Sequence, residues 1–301
     1  MNVFLTGATG YLGAHVAARL RAAGHTVTGL ARNDAAEAKL WQYGVTPVRG
    51  DLRQSEALAE PARRADAVIH AAFSHDTGSF EDALRLDRGA TAAFASALAG
   101  TGKPLIATSG SGLLGDTGPE PVGEDFPVNP DFLLAPRAAA EQDVLRAADR
   151  GVRAVVLRFP LYVYGNGGSV FVPWLIERAR KTGAVPYVGG GEHKASAVHV
   201  DDAAELYLLA LEKARAGSLF HGAAEHGVTA RALAEAIGRA RGVPTRSVAL
   251  EDARVEWGQR LATFLSINSQ IASERARAEL GWRPRAPTTL LADVEIGSYR
   301  P

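Results

Sequence analysis

The chain contains no cysteine and a single methionine. Disulfides, a thiolate nucleophile and cysteine-ligated metals are thereby excluded. Aromatic residues are sparse, at 7%, and no apolar run reaches the ~18–20 residues of a membrane-spanning helix. Neither sign of charge is in excess: 33 Lys and Arg balance 33 Asp and Glu. That balance removes the electrostatic footprint expected of a nucleic-acid binder or of a protein held on an anionic membrane. Lysine is scarce, five against 28 arginines, and basic clusters such as residues 275–277 read as solvated helix faces. No basic-then-apolar leader precedes the first strand, so a cytoplasmic location is expected. With 301 residues the chain can bury a substantial core, as one nucleotide-binding domain with a smaller cap.

Asn2-Val3-Phe4-Leu5-Thr6 is a short apolar run suited to a buried parallel strand. Gly7-Ala8-Thr9-Gly10-Tyr11-Leu12-Gly13 follows at once, and residues 14–23 read as helix. Each glycine has a mechanical reason. Gly7 permits the strand-to-helix turn, Gly10 admits a pyrophosphate to backbone N–H groups, and Gly13 lets helix and strand pack closely. The helix N-terminus adds partial positive charge. Strand before and helix after turn a weak glycine pattern into a strong dinucleotide signature.

The second strand, near residues 26–30, ends in Ala31-Arg32-Asn33, with no acid before Asp34. An NAD site ordinarily has an acid here for the ribose 2′-OH. Arg32 reads as a cation for a 2′-phosphate, set against a plain solvated arginine, so NADP is expected over NAD. Asp51, in Gly50-Asp51-Leu52, is placed to bond an adenine amino group and to cap a helix. The fourth strand, 67–72, carries small residues at the end where a cofactor crosses the sheet, and Ala71, Ala72 and Phe73 are assigned to that crossing. His70 reads as a hydrogen-bonded core histidine, and His75 on the following loop as a group touching substrate.

Strands and helices alternate through about residue 160. Residues 107–130 are rich in glycine and proline and read as a loop over the reactive end of the cofactor. Asp131 is the expected cap of the fifth helix, with Pro136 bending its first turns. A helix is expected to about Arg180, a strand at 185–188, a helix over 201–213 capped by Asp201 or Asp202, and a strand at 247–250. His199 is expected to order the turn before that helix, and no histidine–carboxylate cluster has metal-ligand spacing.

Taken together, these residues resemble the short-chain dehydrogenase/reductase superfamily in its extended, epimerase-like branch. The support includes the opening glycine loop, Gly50-Asp51-Leu52, His70-Ala71-Ala72 and Thr108-Ser109-Gly110-Ser111. It continues through Arg158-Phe159-Pro160, Val163-Tyr164-Gly165, Val198-His199-Val200-Asp201-Asp202 and Leu280-Gly281-Trp282-Arg283-Pro284. The resemblance implies a Rossmann doubly wound parallel sheet with a small C-terminal α/β cap. It implies a domain of residues 1–165 rejoined by 198–221, and a cap of 166–197 and 222–301. Pro160 joins the implied cofactor contacts.

The family's catalytic set is Asn, Ser or Thr, Tyr and Lys. Here Leu133 falls at the tyrosine and Arg137 at the lysine, spaced to share one helical face. Asp87 takes the asparagine position, and Ser109 and Ser111 flank Gly110 where the hydroxyl belongs. Leucine cannot exchange a proton, while Arg137 can still hold a nicotinamide ribose. Catalysis then falls to Ser109, Tyr164, Asp87 and Arg137. The weightier reading of Tyr164 is a packing residue in a Val-Tyr-Gly turn, and Asp87 has the alternative of a group that fixes the bend of its helix. The implied function is an NADP-dependent oxidoreductase or epimerase-like enzyme for a small carbonyl, hydroxyl or imine substrate; the alternative is a non-catalytic redox sensor or scaffold. Small residues at 90–93 and 138–140 imply a homodimer through the two helices that carry them.

Overall fold

The computed structural model describes residues 1–74 and 77–300. In chain order its first half runs β1 (Asn2–Thr6), α1 (Tyr11–Ala22), β2 (Thr26–Ala31), α2 (Asp34–Gln42), β3 (Thr46–Arg49), α3 (Ala59–Arg64), β4 (Ala67–His70), α4 (Phe80–Ala97), β5 (Pro104–Gly110), α5 (Ala135–Leu145) and β6 (Arg153–Phe159). The second half runs β7 (Tyr162–Tyr164), α6 (Phe171–Thr182), β8 (Val185–Val188), β9 (Lys194–His199), α7 (Val200–Lys213), β10 (Ser218–His221), β11 (Glu225–Thr229), α8 (Ala230–Arg241), β12 (Thr245–Val248), α9 (Leu250–Trp257), α10 (Gln259–Phe264), α11 (Glu274–Glu279) and α12 (Leu290–Ile296).

Seven strands form one sheet in the order β10-β6-β5-β4-β1-β2-β3, every pair parallel. The expected Rossmann arrangement is therefore the fold. Side chains alternate across the sheet with a period of two. Val3, Leu5, Ile69 and Ile106 meet α1 and α7 on one face through Val16, Leu20 and Leu206. Phe4, Val68 and Leu105 meet α4 and α5 on the other through Phe94, Leu98 and Val144. Because the order reverses between β1 and β4, a crevice opens at the C-terminal ends of those two strands. Beyond β6, β7 pairs with β9 and β9 with β11, while β8 pairs with β12.

Three local expectations are corrected. The fifth helix starts at Ala135, with Leu134 in the capping position and Pro136 within its first turn. An N–H would be unpaired there anyway, so Pro136 opens the helix instead of bending it, and Asp131 lies outside it. Helix α7 is capped by His199, whose Nδ1 accepts from the Asp201 N–H at 3.2 Å. Asp202 is used elsewhere, accepting from the N–H groups of Arg285 and Ala286 at 2.7 and 3.0 Å. The last strand is Thr245–Val248, because Leu250 already opens α9. Among the described residues no group of His, Asp and Glu side chains is arranged to hold a metal. Among the described residues no helix is long and apolar enough to cross a membrane.

One charged node lies inside the fold. Arg158 on β6, Glu141 on α5 and His221 on β10 are each at most 4% exposed. The guanidinium meets Glu141 through two bonds, at 3.1 and 2.5 Å, and His221 Nε2 at 2.9 Å. Arginine can only donate, so Nε2 is the acceptor and the imidazole is neutral, its Nδ1–H pointing at the Ala272 carbonyl 3.0 Å away. Burial, followed by the Arg158 charge, lowers the His221 pKa to about 3.

Removing one partner leaves a buried charge uncompensated. Glu141→Ala is expected to cost about 3–5 kcal/mol in urea unfolding. The histidine adds a pH signature. An unfolded chain takes up a proton here near pH ~6.5, whereas the folded chain does so only near 3. Stability therefore falls as pH drops through that window, by at most about 1.4 kcal/mol per unit. His221→Gln should flatten this part of the profile; equal slopes for variant and wild type would contradict a neutral buried imidazole.

Candidate functional site

The site begins where β1 ends. The chain turns through Gly7 at φ +79, and the Gly10 N–H closes the turn on the Gly7 carbonyl at 2.9 Å. A Cβ on Gly7 would lie 2.8 Å from backbone atoms of Ala71 and Ala72, and one on Gly13 only 2.1 Å from the Gly7 oxygen. Only glycine permits both approaches. Gly10 caps α1 without any side-chain bond, so the first-turn N–H groups face outwards as an anion cradle.

A cleft of about 590 Å³ opens above this cradle. Gly7, Thr9, Gly10, Tyr11, Leu12 and Gly13 line its middle. Arg32, Asp51 and Leu52 line one end, and Ala71, Ala72 and Phe73 lie along the strand-end side. Twelve of the residues assigned to a cofactor thus share one wall. Pro160 and Arg137 do not join it. Pro160 is buried, and its neighbours Leu161 and Val163 line the cleft instead.

A second wall, comprising Ser169, Val170 and Phe171 with Leu161 and Val163, was missed. Its one sequence signal was the glycine run 165–168 set between apolar residues. Ser169 holds a left-handed φ of 104, a conformation that costs about 1–3 kcal/mol outside glycine. The loop is clamped into it. Tyr11 donates to the Gly165 carbonyl at 2.8 Å, and the Tyr299 hydroxyl receives the Gly165 N–H and donates to Gly168.

Asp34 and Glu37 pair with Arg49 at 2.8 and 2.9 Å, and Asn33 caps α2 by accepting from the Ala36 N–H. Asp51 accepts the Arg53 N–H at 2.8 Å while still lining the cleft, so capping and ligand contact are compatible.

His70, Asp87, Ser109 and Arg137 converge on a small pocket of about 10 Å³, on the scale of one water. His70 Nδ1 lies 2.6 Å from Thr6 Oγ1, and Nε2 lies 3.2 Å from Asp87 Oδ1. Burial alone would raise the Asp87 pKa. The hydrogen bond and charge of His70, with the charge of Arg137, outweigh it and hold the carboxyl below its ordinary range. Ser109 Oγ is buried and has no hydrogen-bond partner among the described residues. Arg137 donates to the Thr108 carbonyl at 3.1 Å and rests 4.4 Å above the Phe73 ring, reaching the cleft through that ring.

Two catalytic expectations are corrected. Leu133 precedes α5 instead of sharing a helical face with Arg137, and it packs in an apolar cluster with Leu113, Leu134, Phe80, Phe132 and Phe264. Tyr164 is buried, its hydroxyl donating to Glu225 and lying 2.8 Å from the Thr288 carbonyl, its ring against His199. Burial, then the bond to Glu225 and its charge, push its pKa far up. No cation lowers it, and it ties β7 to β11 instead of serving the cleft. Ser111 bonds Ser269 at 3.0 Å. His75 lies outside the described residues.

The chain matches the family model described as "NAD dependent epimerase/dehydratase family" over residues 3–221. It is 38% identical to an uncharacterized protein of Schizosaccharomyces pombe, over 99% of this chain and 100% of that one. It is 32% identical to a 2-alkyl-3-oxoalkanoate reductase of Stenotrophomonas maltophilia, over 74% of this chain and 69% of the relative. A 3-diazoavenalumate denitrifying reductase of Streptomyces is 29% identical over 96% and 97%. Among solved structures, the NAD-bound dTDP-glucose 4,6-dehydratase of Streptomyces venezuelae superposes with a TM-score of 0.81 at 21% identity, covering 99% of this chain and 96% of that one. At that identity the likeness shows the fold, and the family match carries an oxidoreductase-type function. The chain belongs to the NAD dependent epimerase/dehydratase family, within the short-chain dehydrogenase/reductase superfamily.

Proposed function

We propose that the protein is an NADP-dependent reductase whose hydride acceptor requires no phenolic proton donor. What supports this reading is that Leu133, the residue that the resemblance sets at the tyrosine position, packs in an apolar cluster. The glycine cradle fits a dinucleotide, since a Cβ at Gly7 or Gly13 would collide with backbone. When bound, the nicotinamide supplies a hydride. The first turn of α1 holds the diphosphate, Arg32 the 2′-phosphate and Asp51 the adenine edge. Arg137, stacked on Phe73, fixes the ring that borders the reactive end.

Reducing a ketone creates an alkoxide that must be protonated, so a positioned acid contributes about 10²–10⁴ in rate. An acceptor that is already cationic, such as an iminium or diazonium group, ends neutral and needs no acid. Two relatives bear on the choice. The oxoalkanoate reductase acts on a ketone but matches 74% of this chain, whereas the reductase named for a diazo compound matches 96%. Burial of Ser109 and Tyr164 favours a second reading, a non-catalytic NADP(H)-binding redox sensor or scaffold. Helices α4 and α5, which leave Ala92 and Ala139 exposed, are the surface proposed for a homodimer.

On cofactor choice, NADPH should bind more tightly than NADH. Arg32→Ala should weaken NADPH alone by roughly 10- to 100-fold, the value of a charge-assisted bidentate contact of about 1.5–3 kcal/mol. Fluorescence titration measures this, and equal affinities in the wild type would contradict it. On the acceptor, single-turnover absorbance of bound NADPH should show iminium or diazonium compounds consumed and simple ketones spared. Tyr164→Phe should retain wild-type kcat. Rapid reduction of simple ketones by the wild type would refute the acid-free reading, and bound NADPH that no acceptor consumes would favour the sensor.

A further inference from the structure

Four side chains stack in series outwards from the wall of the cleft. The Arg137 guanidinium lies 4.4 Å from the Phe73 ring centre, Phe73 lies 6.0 Å from Phe80, and the Arg260 guanidinium lies 4.4 Å from Phe80. Phe73 lines the cleft, so the series runs from its wall to the cap helix α10. Phe264, one turn beyond Arg260 on α10, packs 6.4 Å from Phe171 on the opposite wall. It also sits on Gly112, where an added Cβ would be 2.6 Å from its ring. Helix α10 thus carries a cation and a ring, four residues apart, behind two aromatic residues that line the cleft, Phe73 and Phe171.

Neither arginine of the series meets a carboxylate within ion-pair distance among the described residues. Arg260 is also exposed. A guanidinium resting on a ring keeps N–H donors directed outwards in its own plane, free to grip a carboxylate through two bonds. The surrounding cluster of Leu133, Phe132, Phe80 and Phe264 is apolar. A sugar with many hydroxyls would leave its polar groups unpaired there, whereas a flat apolar body would bury well. We propose that the substrate is an aromatic or conjugated carboxylic acid, its flat body held among Phe73, Phe80 and Phe264 and its carboxylate bound by Arg260. This deepens the reductase reading and rests on it for the chemistry; Arg260 is a specificity residue that takes no part in the transfer.

The test uses calorimetry on the NADPH-loaded protein with trans-cinnamate, its uncharged amide cinnamamide, and UDP-glucose as probes. Cinnamate should bind at least about 10-fold more tightly than the amide, and UDP-glucose more weakly than either. Arg260→Ala should lower cinnamate affinity by about 10- to 100-fold, to the level of the amide, with amide and NADPH affinities unchanged. Arg260→Lys should restore part of the loss, because it returns the charge without the fork. Equal binding of cinnamate and cinnamamide, indifference to Arg260→Ala, or a preference for UDP-glucose would each overturn the proposal. Failure to bind NADPH would instead strike the reductase reading, and the cinnamate titration on the unloaded protein would still decide the role of Arg260.

Discussion

The carbonyl oxygen of Gly7 occupies the place that a side chain on residue 13 would need, and the rest of the site depends on that contact. Because the first turn of α1 lies against the strand-to-helix loop, its N–H groups face the crevice between β1 and β4. Because Gly7 also touches the backbone of Ala71 and Ala72, the cradle and the end of β4 are fixed as one surface. Phe73, and through it Arg137, are positioned by the same contact. A chain lacking either glycine would have to move α1 outwards, and the cleft would lose its floor before any ligand was considered.

A second constraint acts from behind. The pair of Arg158 and Glu141, with neutral His221, joins α5, β6 and β10 and reaches the segment before α11 through Ala272. A buried pair of this kind is weak evidence of net stability against a well-packed apolar substitute, because desolvating two charges offsets much of their attraction. Its effect is on geometry: it sets the height of α5 over the sheet, and hence where Arg137 projects. Tyr164 has an analogous part in the three-stranded sheet of β7, β9 and β11. Its hydroxyl, tied to Glu225 and the Thr288 carbonyl, holds the small sheet that carries Val163 to the cleft.

The sheet and the glycine-rich wall of the cleft were legible in the sequence because their determinants are local. Strand-length apolar runs, glycines at fixed offsets and the absence of an acid after β2 all act within a few residues of the place they define. The second wall was not legible, since Ser169 and Phe171 reach the cleft only because Tyr11 and Tyr299, distant in sequence, hold their loop. The spacing of Leu133 and Arg137 suggested a shared helical face, but Pro136 suits a first turn, and the helix starts too late to include Leu133. Tyr164 was left with two readings for a related reason: a motif shows which strand a residue follows and not toward which side its ring turns. His199 as a cap was half-visible, because an imidazole nitrogen can accept an N–H as an aspartate does. The stack from Arg137 to Arg260 had no sequence signal at all, being assembled from four segments.

The central claim is that reduction proceeds here without a proton delivered by the protein. Paired isotope effects on a cationic acceptor test it most directly, comparing NADPH deuterated at its transferable position with NADPH in deuterated solvent. The account predicts a clear primary effect from the labelled cofactor and a solvent effect near one, with a rate that is flat across neutral pH. A solvent effect well above one, coupled to a titration in the pH–rate profile, would show a proton in flight in the transition state and contradict the account.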